Sequence, residues 1–220
     1  ALHLGGADLG VELGFGRERG DREALALELL QGAPPHWSRY CLSEAMKAAR
    51  SGARDPATAA GCEALLNVAR TLRMADRHLY VQSIVAYAQP VEASCRSLQR
   101  RLGARRRGFA DFSELPPDAY QSFRATARGM VHGLVAEMRG LGYALDARLC
   151  RAVTLVLAAD PHADAGADVL RFLRDMPAEH GITPTAAHYS AGLMLCENPN
   201  PSRATAAAME ALLRSLRAGG

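Results

Sequence analysis

The sequence predicts an all-α fold built as a stack of antiparallel helix pairs, and three observations carry that prediction. Apolar residues recur at helical spacing, most clearly Val169, Phe172, Leu173 and Met176 at i, i+3, i+4 and i+7, so that one side of a helix is apolar. Capping residues and breakers recur between these stripes, whereas no pair of alternating strands does. The chain also repeats itself. EALALELLQGAPPHWSRY from Glu23 aligns without a gap with EALLNVARTLRMADRHLY from Glu63, an offset of 40 that pairs Tyr40 with Tyr80, and Leu149 and Tyr189 stand at the same offset. A period of this size suits stacked helix pairs, in which no unit buries its apolar face alone and neighbours complete the core. Tyr40, Tyr80 and Tyr189 are therefore expected at equivalent, largely buried positions in successive first helices.

The elements follow in chain order. Residues 1–20 read as an irregular N-terminal extension, Gly-rich from Leu4 to Gly20, ahead of a single helical-repeat domain over 21–220. Asp21 is placed to cap a helix ending at Gly32, and Asp55, with Pro56 in the first helical position, opens another running towards Asp76. An Arg-rich insertion with a loop is expected around 96–117, where FADFSEL, Phe109 to Leu115, has no helical pattern. Asp118, after Pro116 and Pro117, opens a long segment through Met138 that Gly140 and Gly142 close. Gly181 and Pro184 mark the turn after the Val169–Met176 stripe. Ser202 caps the last helix, whose Met209, Leu212, Leu213 and Leu216 again space as a stripe.

MPAEHGITPT, from Met176, followed by AAHYSAGLML resembles the junction between two pentatricopeptide repeats, in which a helix closes on Met-Pro or a similar pair, a Gly-Ile-x-Pro turn follows, and a Tyr packs inside the next helix. Met176, Pro177, Gly181, Ile182, Pro184 and Tyr189 carry the match, and RHLYVQSIVAYAQ around Tyr80, Ile84 and Tyr87 is similar to the first helix of such a repeat. The resemblance covers the last third of the chain and, more loosely, residues 56 to 90. The offset of 40 is longer than the usual unit of about 35 residues. What the resemblance implies is a right-handed superhelical stack, an α-solenoid, in a non-catalytic component of an organellar ribonucleoprotein. A mitochondrial ribosome subunit that contacts rRNA phosphates and neighbouring proteins is the form it implies most directly. In that family the residue after the Tyr of the first helix helps to read a base. The matching positions are Cys41, Val81, Cys150 and Ser190, of which Ser190 alone is a plausible hydrogen-bonding reader, so phosphate contacts outweigh a base code.

The charge pattern supplies those contacts. RSLQRRLGARRR holds six arginines, Arg96, Arg100, Arg101, Arg105, Arg106 and Arg107, and no acid. Guanidinium forks engage phosphate oxygens bidentately, and clustering them gains affinity through counterion release. The same run also fits a solvated helix face in a chain where Lys47 is the single lysine among 26 cations.

Other chemistry is weakly signalled. The 220 residues are 49% hydrophobic with a net charge of +3, and a chain of this length buries roughly 70% of its unfolded surface. No apolar run approaches the roughly 20 residues of a membrane span. Cys41, Cys62, Cys95, Cys150 and Cys196 form no C-x-x-C pair and are odd in number, which suits core thiols in a reducing compartment. GFGRERG lacks a β-α-β context, the seven histidines lack ligand spacing, and no nucleophile-and-base motif occurs. No cofactor, metal or catalytic residue is therefore expected. Glu137, Asp168, Asp175 and Glu210 are expected on exposed helix faces, paired with arginines. A second functional class stays open: a protein–protein adaptor that holds a peptide or subunit in a helical groove. Scattered arginines around an apolar groove favour it, and a continuous basic stripe favours RNA.

Overall fold

A computed structural model describes residues 35–52, 56–105, 117–160, 165–197 and 202–218. Among them every regular element is helical. In chain order they are α1 (Pro35–Gly52), α2 (Pro56–Thr71), α3 (Arg77–Arg105), α4 (Pro117–Gly140), α5 (Ala147–Ala159), α6 (Ala165–His180), α7 (Ala186–Gly192), a 3-10 turn (Leu193–Glu197) and α8 (Arg203–Ala218). The chain divides into two compact units, Ala1–Gln89 and Pro90–Gly220. The boundary falls at Pro90, inside α3, where a ring without an N–H interrupts the helical ladder. The expected extension over 1–20, the helix from Asp21 to Gly32 and the FADFSEL loop lie outside the described residues.

In the first unit α1 packs on α2. Leu42, Met46, Leu66, Tyr80 and Ile84 are fully buried, and three polar contacts join the helices. Tyr87 donates to Glu63 at 2.7 Å, the Arg70 guanidinium lies 5.6 Å from the centre of the Tyr80 ring, and the Cys62 thiol points at the Met46 carbonyl. A buried Glu is tolerable because its oxygen accepts from a phenol.

In the second unit α5 is the hub. It contacts α4, α6, α7 and the 3-10 turn, and α8 closes on α6, α7 and the same turn. This follows from its sequence: ten of its residues, from Leu149 to Ala159, are buried, an apolar run that makes sense only for a helix covered on several sides.

A left-handed turn occurs three times. Arg73, Gly142 and Gly181 adopt left-handed backbone, with φ of 54°, 73° and 66°. After Arg73 and Gly142 the closing bonds match: Met74 N–H to Ala69 C=O and Arg73 N–H to Arg70 C=O, then Tyr143 N–H to Met138 C=O and Gly142 N–H to Arg139 C=O, the Schellman pattern that satisfies the last carbonyls of a helix. Each turn then leads to a cap. Leu79 N–H donates to Asp76 and Leu149 N–H to Asp146, at 3.0 and 2.8 Å, and Thr185 caps α7. Asp76 thus starts α3; the helix from Pro56 stops short of it, at Thr71.

These turns reset the repeat register. Gly142 and Gly181 lie 39 positions apart, as do Asp146 and Thr185. Tyr189 therefore corresponds to Cys150, not Leu149, and each stands four residues after its cap, as Tyr80 does after Asp76. The expectation for Tyr40 fails: it lies within α1, 56% exposed, whereas Tyr80 is buried and Tyr189 half-buried. Nor does Met176-Pro177 close its helix, since α6 runs on to His180. The bond that ends it goes from Ile182 N–H to Met176 C=O, one residue wider than its counterpart after Gly142.

Arg73 is the weak copy of this turn, because a Cβ in left-handed backbone carries a steric penalty that Gly escapes. Replacing Arg73 with Gly should raise stability by about 0.5–1 kcal/mol, the net of relieved strain and added unfolded-state entropy. Urea unfolding would show it as a higher midpoint at unchanged slope.

Ser202 caps α8 as its sequence predicts, accepting from Thr205 N–H at 3.1 Å. The crossing of α8 over α6 depends on size. A Cβ on Gly166 would lie 2.7 Å from the Ala208 Cβ, a stem atom that cannot swing aside, so Gly166→Ala should destabilise by about 1–2 kcal/mol through overpacking. Gly133, on α4 with open space around it, should respond with the opposite sign, gaining about 0.5–1 kcal/mol on the same substitution. Thermal unfolding of the two variants checks both signs.

Candidate interaction surface

Two grooves run between the helices that alternate with α5 and α7. The first separates α4 from α6, holds about 220 Å³, and has Val153 and Leu157 of α5 as its floor. The second, about 520 Å³, lies against α6, with Tyr189 of α7 and Ser215 of α8 also on its walls.

The first groove is framed by ion pairs that bind helix to helix. At one end Arg128 of α4 reaches Asp160, the C-cap of α5, at 2.9 Å through Nη1, and Asp168 of α6 through Nη2. At the other end Arg139 of α4 pairs with Glu179 of α6 at 2.5 Å. Both α4–α6 pairs span 40 residues. Arg171 also holds Asp168, Arg174 holds Asp175, and Arg151 reaches Glu92. The expectation that acids pair with arginines thus holds for Asp168 and Asp175. The expected exposure fails for Asp168, whose side chain is 13% exposed, because the Arg128 and Arg171 guanidinium groups lie against it. The hydrogen bond from Arg174 holds the Asp175 carboxyl below the usual range.

Histidines close the two ends of the turn after α6. His180, the last residue of that helix, is 6% exposed and lies 3.8 Å from Glu179. Burial pushes its pKa down, with Glu179 pulling the other way. Beyond the turn, His188 is buried at the start of α7. Its Nδ1 accepts Thr185 N–H at 3.1 Å, and its Nε2 lies 2.9 Å from the Ala147 carbonyl at the start of α5. With Nδ1 as the acceptor, the ring is the neutral tautomer that donates through Nε2. One side chain thereby fixes the first turns of two helices, a role that no spacing rule in the sequence announces.

The expected contact residues are placed as follows. Arg96, Arg100, Arg101 and Arg105 lie on the helical backbone of α3, whose last residue is Arg105, so that part of the expected insertion is helix. Arg106 and Arg107 fall outside the described residues. Ser190 is exposed on α7, directly after Tyr189. With the register set by the turns, the positions equivalent to Ser190 are Val81 and Arg151. Cys150 takes the Tyr position instead, and Cys41 has no equivalent turn described before it.

The thiols behave as core residues. Cys41, Cys62 and Cys150 are free and buried, and desolvation pushes Cys62 up to about 12 and Cys150 to about 11, so both stay protonated at neutral pH. Among the described residues no group of His, Cys, Asp and Glu is placed to hold a metal ion, and no helix is long and apolar enough to cross a membrane. No family model, no curated protein and no solved structure matches this chain.

Proposed function

We propose that this chain is a pentatricopeptide-like helical-repeat scaffold, a right-handed superhelical stack that joins an organellar ribonucleoprotein such as a mitochondrial ribosome. It has no catalytic role in this reading. It touches RNA through the phosphates and gathers protein neighbours on its grooves. The observation that carries the stack is the turn repeated at Gly142 and Gly181, with its cap four residues on and its α4–α6 ion pairs 40 residues apart. Like turns at a fixed period favour like hairpins, and like hairpins bury their apolar faces by stacking. The RNA contact rests on Arg96 to Arg107, the densest basic run in the chain.

The test is a salt titration. Replacing Arg100, Arg101, Arg105, Arg106 and Arg107 with Ala should weaken binding to a single-stranded RNA oligonucleotide. It should also flatten the slope of log affinity against log salt by about 0.7–0.9 for each phosphate that is no longer engaged. Thermal unfolding of the variant serves as the control for an intact fold. An unchanged slope in a folded variant removes the phosphate role.

A second reading has its own observation. Arg128, Arg139, Arg151, Arg171 and Arg174 are each engaged by a carboxylate, and a groove with an apolar floor lies among them. Neutralised arginines around such a groove favour a protein ligand over a polyanion. In this adaptor reading the RNA titration shows no specific salt slope, and the arginines of α3 meet acidic side chains of a partner.

A further inference from the structure

We infer that the groove between α6 and α8 is a binding site for an organic monocarboxylate with an apolar body, either a free acid or the C-terminal residue of a polypeptide. The inference uses none of the arginines of α3 and stands whether or not the chain touches RNA.

No staple crosses this groove. Arg128 and Arg139, which tie α4 to α6 across the first groove, are matched 39 residues on, at the spacing of the turns, by Ala167 and Ala178 of α6. Among the described residues no ion pair joins α6 to α8, and this groove holds about 520 Å³ against about 220 Å³ for the first. That falls within the roughly 300–1,000 Å³ of small-molecule sites. Ala167, Leu170 and Leu173 make part of the lining apolar, and each polar side chain described on the walls is a donor: Arg171 and Arg174 of α6, Tyr189 of α7 and Ser215 of α8. The acids of α6, Asp168, Asp175 and Glu179, line the first groove instead.

Most of these donors are spare. Arg171 gives Nη2 to Asp168 and Arg174 gives Nε to Asp175, which leaves both terminal nitrogens of Arg174 without a partner among the described residues, as are the hydroxyls of Tyr189 and Ser215. Two N–H groups on one end of a guanidinium match the two oxygens of a carboxylate, and hydroxyls can serve its remaining lone pairs. Charge then decides the class of ligand. Asp168 and Asp175 balance Arg171 and Arg174, so the groove offers directed donors with little surplus positive charge. This suits a single carboxylate and disfavours a polyphosphate or an RNA backbone, whose affinity comes from the neutralisation of many charges. The leucines on the lining call for an apolar body on the acid, since burial against them is what a bare carboxylate cannot supply.

The probe is N-acetyl-leucine, titrated into the full chain while backbone amide shifts are followed. Saturable shifts centred on Ala167, Arg174, Tyr189 and Ser215 are expected, with a dissociation constant of about 1–10 mM for so small a ligand. N-acetyl-leucinamide, the same body without the charge, should bind about tenfold more weakly or not at all. Arg174→Gln should weaken the acid to the level of the amide, and Arg174→Lys should not restore it, because an ammonium has no fork. Ala167→Glu should abolish binding by setting a carboxylate on the wall. Both positions are exposed, so all three variants should unfold at the wild-type temperature. Acetyl-diglycyl-leucine separates the two sources: tighter binding than N-acetyl-leucine identifies a chain end, equal or weaker binding a free acid, and either supports the site. No saturable shift, equal binding of acid and amide, or wild-type binding by Arg174→Gln or Arg174→Lys overturns the inference. Stronger binding of inorganic phosphate or adenosine monophosphate at the same residues overturns it in favour of a phosphate ligand.

Discussion

Replacing Arg128 with Met should lower the unfolding free energy of the second unit by about 3 kcal/mol, the largest loss expected from any single substitution on an ion pair here. The Asp160 side chain has no solvent exposure, and the Arg128 side chain is 28% exposed. Removing the cation takes from this buried carboxylate the guanidinium beside it, and breaking a buried pair from one side is strongly destabilising. Arg128 also holds Asp168, so α4 loses its link to the end of α5 and to the first turn of α6 together. Arg128→Lys should recover only part of the loss, because an ammonium has no planar fork with which to bridge two carboxylates. Chemical denaturation of Arg128→Met, Asp160→Asn and the double variant closes a thermodynamic cycle. A coupling energy near zero would show that Arg128 acts through packing of its stem alone.

The second large effect is expected at His188. His188→Ala should destabilise by about 2 kcal/mol, since it strips Thr185 N–H of its acceptor and the Ala147 carbonyl of a donor while opening a gap in a buried site. His188→Gln should restore part of this, its amide carrying a donor and an acceptor on one side chain. Amide exchange gives the sharper readout. Protection at the first turns of α5 and α7 should fall together in His188→Ala, because one imidazole fixes both; a loss confined to α7 would reduce it to a local cap.

Much of the helical framework was legible because it is encoded locally. Ser202 as a cap, the closure at Gly140 and Gly142, Gly181 in the turn, Pro56 in a first helical position and the buried stripe of Val169, Leu173 and Met176 all depend on residues within one or two turns of each other. The register was misread at Leu149 for the opposite reason: letters align at an offset of 40, while the turns at Gly142 and Gly181 that set the helix phase stand 39 apart. The Arg73 turn was equally invisible, since left-handed backbone is announced by Gly and not by Arg.

Sequence by itself determined that this chain is helical, where several helices start and stop, and which faces are apolar. The tertiary structure alone decided which charges are neutralised by a neighbour, as at Arg128, Asp160 and Asp168, and which are left outward, as at Arg217. It also decided that a histidine with no motif around it would lock two helices together. The physical reason is range. Caps, turns and amphipathic stripes are set by a few adjacent residues, whereas the Arg128–Asp168 pair and the His188–Ala147 bond join groups 40 and 41 positions apart, and such partners exist only once the helices have packed.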